Sequence, residues 1–76
     1  MLNIYFTRHA KNRMRWRRIS SEMVNLVLEN PDKIESKDEN NFEYYKNIDR
    51  IIYKVFCVVI DNRFVIKSVI KKERLL

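Results

Sequence analysis

Six cations, the only histidine and the only tryptophan of the chain fall within Thr7–Arg18, Thr-Arg-His-Ala-Lys-Asn-Arg-Met-Arg-Trp-Arg-Arg, with no acid among them. A basic surface of this kind is drawn to the phosphates of a nucleic acid whatever the base sequence, because each phosphate it neutralises releases condensed counterions. The histidine adds a group that takes up and releases protons near neutral pH. Cutting RNA without a metal needs a base for the 2′-hydroxyl proton, an acid for the leaving oxygen, and cations for the charge growing on the phosphate. His9 can serve as base or acid, Arg13 one turn on can hold a phosphate at two points, and Arg17 or Lys67 can supply a second cation. Tyr44 and Tyr45 alternate across a predicted strand, so one of them faces the helices and offers a hydroxyl or a stacking surface; Tyr45 is taken as the candidate. Around this set, Arg8, Lys11, Arg15 and Arg18, with Lys71 and Lys72 near the other end of the chain, make the candidate nucleic-acid-binding surface. Trp16, where exposed, can stack a base.

Each of these residues also has a plain structural use. His9 near a helix N-terminus, where imidazolium is disfavoured, can be a packed, hydrogen-bonded side chain. Arg13 and Arg17 can bind carbonyls or the acids of the middle segment, and Trp16 can pack in the core or at its edge. Lys11, Arg15 and Arg18 can be a solvated face, Lys71, Lys72 and Arg74 an ordinary basic tail, and tyrosines are at home in sheets.

The elements that must hold these residues follow from pattern and punctuation. Asn3 to Phe6 is short, β-branched and aromatic, and it ends at Thr7, a good N-cap, so a strand leads straight into a helix. In that helix Ala10 and Met14 face the core, Lys11, Arg15 and Arg18 form a solvated stripe at i, i+4, i+7 spacing, and between those faces run His9, Arg13 and Trp16 or Arg17, one turn apart, with His9, Arg13 and Arg17 bordering the core. Ser20 or Ser21 caps a second helix through Met23, Val24, Leu26, Val27 and Leu28, which ends at Asn30 before Pro31, the only proline. Lys33 to Asp38 is a polar edge strand, and Asn40-Asn41 is a tight turn, since asparagine tolerates positive φ in a chain without glycine. Phe42 to Ile48, Ile51 to Ile60 and Phe64 to Ile70 are three further strands, with a hairpin turn at Asp61-Asn62. The apolar run through Val58, Val59 and Ile60 predicts a central strand covered on both faces. The expected class is α+β, ordered β-α-α-β-β-β-β, with two N-terminal helices on one face of a mainly antiparallel sheet.

Size and composition set bounds on this reading. Seventy-six residues, 46% apolar and 34% charged, make one globular domain over residues 1–76 rather than a disordered chain. No apolar run approaches the roughly 20 residues of a membrane span, and the start Met-Leu-Asn-Ile-Tyr-Phe does not read as a signal peptide, so a cytoplasmic protein without membrane contact is expected. The lone Cys57 sits within an apolar run and reads as a small core residue, and one histidine with one cysteine gives no zinc ligand set, so no cofactor or metal is expected. Charge is segregated: residues 1–21 carry +6, residues 22–49 carry −5 and residues 50–76 carry +5, for a net +6. A polyanion should meet the two ends, provided the fold joins them, while the acidic middle avoids it or faces a basic partner.

The run His9-Ala10-x-x-Arg13-Met14-x-x-Arg17-x-Ile19-Ser20, followed by Val27-Leu28-x-Asn30-Pro31 and a tyrosine-bearing β-rich tail, resembles the domain-of-unknown-function 4258 family over nearly the whole chain. Such domains look like relatives of the RelE and BrnT toxins, whose β-α-α-β-β-β fold is used to cut RNA. The family commonly has glycine after the second arginine, where this chain has Arg18. Arginine is strained at positive φ, so a different turn geometry is expected there.

Two functions of different class are compatible with these residues. One is a RelE/BrnT-like RNA-binding protein or metal-independent endoribonuclease toxin, with an antitoxin-like protein as partner. The other is a non-catalytic nucleic-acid- or protein-binding module that kept the fold. Edge strands on a small sheet also invite pairing with another copy of the chain, a homo-oligomer.

Overall fold

The computed structural model describes residues 3–73. Strand β1 (Ile4–Phe6) leads into helix α1 (Arg8–Arg17), helix α2 (Ser21–Glu29), and strands β2 (Lys33–Ser36), β3 (Asn41–Ile48), β4 (Ile51–Ile60) and β5 (Arg63–Glu73), the order that the pattern predicts. The strands form one sheet in the order β1-β5-β4-β3-β2, antiparallel except where β1 lies parallel to β5. Both helices pack on one face of it.

Thr7 joins the two ends of the chain. Its hydroxyl donates to the Ile66 carbonyl at 3.0 Å and accepts from the Ala10 amide at 3.0 Å, so one side chain ties β1 to β5 and caps α1. Such a cap contributes about 1 kcal/mol. Because α1 then packs on β5, the basic N-terminal and C-terminal segments become neighbours. Ala10 and Met14 are buried beneath α1, as their one-turn spacing predicts.

The turn between the helices differs from expectation. Arg18 takes the left-handed conformation itself, φ 55° and ψ 48°, and so keeps the geometry a glycine would give. Its amide donates to the Arg15 carbonyl at 3.3 Å and the Ile19 amide to the Met14 carbonyl at 2.9 Å, which satisfies the exposed helix end. Ile19 is buried just beyond and holds the turn in place. Ser20 rather than Ser21 caps α2, accepting from the Met23 amide at 3.1 Å, and Glu22 sits in its first turn.

In the sheet, the helix-facing side of β4 carries buried Tyr53, Val55 and Cys57, against buried Ile66 and Val69 of β5 and Val24, Val27 and Leu28 of α2. Full burial of each such aliphatic side chain is worth about 1.5–3 kcal/mol. β4 is central, but the predicted cover on both faces is not there. Its alternate residues, Lys54, Phe56 and Val58, are only partly buried on a face without helices, and period-two burial beneath an uninterrupted apolar run is the reason the run misled.

The turns depart from expectation in two places. Asn40-Asn41 is not a positive-φ turn; the Asp38 carboxylate organises that loop by accepting from the Asn40 and Asn41 amides at 3.1 and 3.0 Å. Asp61-Asn62 does form the predicted hairpin turn, with φ 48° and 62°, and an unpredicted one at Asp49-Arg50 has φ 51° and 69°. β5 also runs on to Glu73, so Lys71 and Lys72 are no free tail. They pair with Tyr53 and Ile52 and belong to opposite faces of the sheet. Arg74 lies outside the described residues.

Candidate nucleic-acid interface

With Ala10 and Met14 turned inward and Arg17 half-buried, the other residues of α1 face solvent. His9, Asn12, Arg13 and Trp16, at i, i+3, i+4 and i+7, fall on one stripe and line an open concavity of about 300 Å³. Arg13 Nε donates to His9 Nε2 at 3.4 Å. Both residues are exposed, so they do not border the core as expected. Arg17 takes that border alone: half-buried, it donates from Nη1 to the Val69 carbonyl at 2.7 Å, the carbonyl-binding use of an arginine. Trp16 is 86% exposed, which overturns its reading as a core or edge residue and leaves an indole face open to a ligand. Asn12 was missed, because an asparagine in a basic run carries no signal of its own until the helix sets it beside Trp16.

Arg8, Lys11, Arg15 and Arg18 occupy the neighbouring stripe and are exposed. Among the described residues no cation of α1 or at its C-cap makes an ion pair. Lysines of β2, β3 and β4 and of the loop after β2 behave differently: Lys33 and Lys37 pair with Glu35, Lys37 and Lys54 with Glu43, and Lys46 with Asp32, at 3.2 to 3.8 Å. Three acids of the middle segment, Asp32, Glu35 and Glu43, are thus neutralised locally, whereas the charge of α1 stays uncompensated at close range.

The remaining catalytic candidates do not join His9 and Arg13. Tyr44, not Tyr45, is the tyrosine that faces the helices, where it packs on the core and meets the Phe64 ring edge-on at 5.8 Å. Tyr45 lies on the opposite face, its hydroxyl 2.6 Å from Glu43 Oε1 and 3.0 Å from Glu35 Oε1 and its ring flanked by Lys33 and Lys54. The period of two decides this: Tyr45 shares a face with Glu43, and Tyr44 with Phe42. The hydrogen bond to Glu43 leads in pushing the Tyr45 phenol well above its usual range, while the bond from Tyr45 leads in lowering Glu35 to about 2. Lys67 is the extra residue of a β-bulge, where Phe56 pairs with Ser68 and Cys57 with Ile66. From there its Nζ reaches Asn41 Oδ1 at 3.4 Å, away from α1. Cys57 is buried, and burial raises its thiol to about 11. Among the described residues no group of His, Cys, Asp or Glu side chains is arranged to hold a metal ion, and no helix is long and apolar enough to cross a membrane.

These features define a small α+β domain with a basic, aromatic-bearing helix on one side and an ion-paired sheet face on the other. Residues 6–71 match the model of the family described as Domain of unknown function (DUF4258), and the chain belongs to that family. No curated protein and no solved structure matches it.

Proposed function

We propose that the protein is a RelE/BrnT-like RNA-binding domain that engages its ligand through the outward face of α1. The observation that carries this reading is the set of cations on α1, free of ion pairs among the described residues, around an exposed tryptophan. Long-range attraction and a stacking surface then occur on one helix face. The salt dependence of RNA binding tests it. Arg8, Lys11, Arg13, Arg15 and Arg18 are exposed, and at about −0.7 per neutralised phosphate on a single strand they give a slope of log K against log salt of about −3.5. Affinity should then fall about a hundredfold between 50 and 200 mM salt, and the double variant Lys11→Ala with Arg15→Ala should flatten the slope by about 1.4. No binding at low salt, or a slope the double variant leaves unchanged, refutes the reading.

A second reading, a metal-independent endoribonuclease, is favoured by the contact between His9 and Arg13 beside Trp16. In that chemistry His9 would take the 2′-hydroxyl proton and Arg13 would hold the phosphate as its charge grows. Binding has the stronger support, since Tyr45 and Lys67 lie elsewhere and leave His9 as the one side chain of the concavity suited to proton transfer near neutral pH. Incubation of labelled RNA with the wild type and with His9→Ala separates the two readings. Cleavage by neither leaves binding and removes catalysis.

A further inference from the structure

We propose that the concavity on α1 receives one unstacked base of single-stranded RNA, so that the protein selects single strands over duplexes; the inference rests on the reading that α1 binds RNA. Trp16 stands 86% exposed at one end of that concavity, with Asn12 one turn before it and Arg13 beside it. A free indole face is a sequence-tolerant platform for a base, and the Asn12 amide offers both a donor and an acceptor to that base's edge. The Arg13 guanidinium can stack on the ring or hold the adjoining phosphate. Arg8, Lys11 and Arg15 on the next stripe lie where a backbone running past the stacked base would pass.

A duplex cannot use this arrangement. In A-form RNA the major groove is too deep and narrow for side chains, so Trp16 would meet backbone, and a base could reach it only by leaving its stack. A single strand presents bases already free. The concavity, about 300 Å³, is at the small end of ligand sites, a size for one base rather than a run of them.

Trp16 is the only tryptophan, so its fluorescence reports this site alone. Titration at low salt with a short mixed-sequence RNA, single-stranded and then annealed to its complement, should show quenching and binding on the order of tenfold tighter for the single strand. Trp16→Ala, at an exposed position and checked for fold by circular dichroism, should lose that preference, and Trp16→Phe should retain most of it. Equal affinity for the two forms, or single-strand preference with Trp16 fluorescence unchanged, overturns the inference and leaves RNA binding by α1 intact. Absence of binding to either form removes both.

Discussion

Replacing Arg18 by glycine should give a more stable domain than replacing it by alanine, although glycine is the poorer residue almost anywhere else in or near a helix. Arg18 sits at φ 55° and ψ 48°, held by its own amide on Arg15 and by that of Ile19 on Met14. A residue with a Cβ pays about 1–2 kcal/mol for that conformation, whereas glycine gives back about 0.4–1 kcal/mol through the greater freedom of its unfolded chain. The net advantage of glycine then lies between about 0 and about 1.6 kcal/mol, with about 0.5–1 kcal/mol at the centre of that range. Both variants lose the same charge, the same interaction with the negative end of α1 and the same repulsion from Arg15 and Arg17, so comparing them isolates the backbone. At about 4–8 °C per kcal/mol for a domain of this size, the melting temperatures should separate by about 2–8 °C, read by circular dichroism under reversible conditions. An alanine variant that melts as high as the glycine variant refutes the assignment of strain to this turn. Both should lose about 0.7 from the slope of RNA affinity against salt, since both remove one exposed cation.

Other consequences concern the core and the sheet. The Ile66 side chain is fully buried beneath the helices, so Ile66→Ala should destabilise by about 2–5 kcal/mol in a denaturant titration. A loss well under 1 kcal/mol would mean that the joint of β1, β5 and α1 is not where the stability lies. Glu35, lowered from 4.5 to about 2, contributes stability that is present above 4.5 and lost as pH falls through 2. Since Tyr45 is the first cause of that shift, Tyr45→Phe should weaken the acid dependence of the urea midpoint across that window; an unchanged dependence argues against the bond. With its thiol raised to about 11 by burial, Cys57 should resist aromatic disulfide reagents near pH 8 until the domain unfolds, and prompt labelling of the native protein would contradict that burial.

Much of the fold was legible because local signals agreed with the global arrangement. Thr7 and Ser20 are capping residues, Asn30-Pro31 is a stop, Ala10 and Met14 lie one turn apart, and Asp61-Asn62 can take positive φ; each marked its element correctly. What escaped was decided by tertiary context. Arg18 and Arg50 show that arginine accepts left-handed geometry where buried Ile19 or a hairpin demands it, which no residue-type preference reveals. The two faces of β4 look alike as a string of apolar letters, and only the placing of both helices distinguishes them. For the same reason Tyr44 and Tyr45 could not be assigned to faces from their alternation: a period of two says that they differ, not which of them meets the helices. The stripe of His9, Arg13 and Trp16 was visible from spacing, but its exposure was not, because Arg17 rather than either neighbour covers the border with β5.

The separation of charge in space, more than its amount, is what suits this domain to a polyanion. A net charge of +6 spread evenly would be a weak attractor, and the acids of the middle segment would cancel much of it if they lay beside α1. Of these acids only Glu22 and Glu29 belong to α2 on the helix side, while Glu35 and Glu43 are drawn to the far face of the sheet, where the lysines of β2, β4 and the adjoining loop neutralise them. The molecule is 23 to 24 Å across its two shorter axes, and the screening length near physiological salt is about 8–10 Å. Charges on opposite faces therefore scarcely feel one another through solvent, and a strand of phosphates approaching α1 meets its cations without the acids behind them. Neutralising one acid of the far face, as in Glu43→Gln, should accordingly leave RNA affinity within about twofold at physiological salt, whereas an acid placed on the helix itself, as in Lys11→Glu, should lower it on the order of tenfold or more. A large effect of Glu43→Gln would show that the two faces are coupled and that α1 does not act alone.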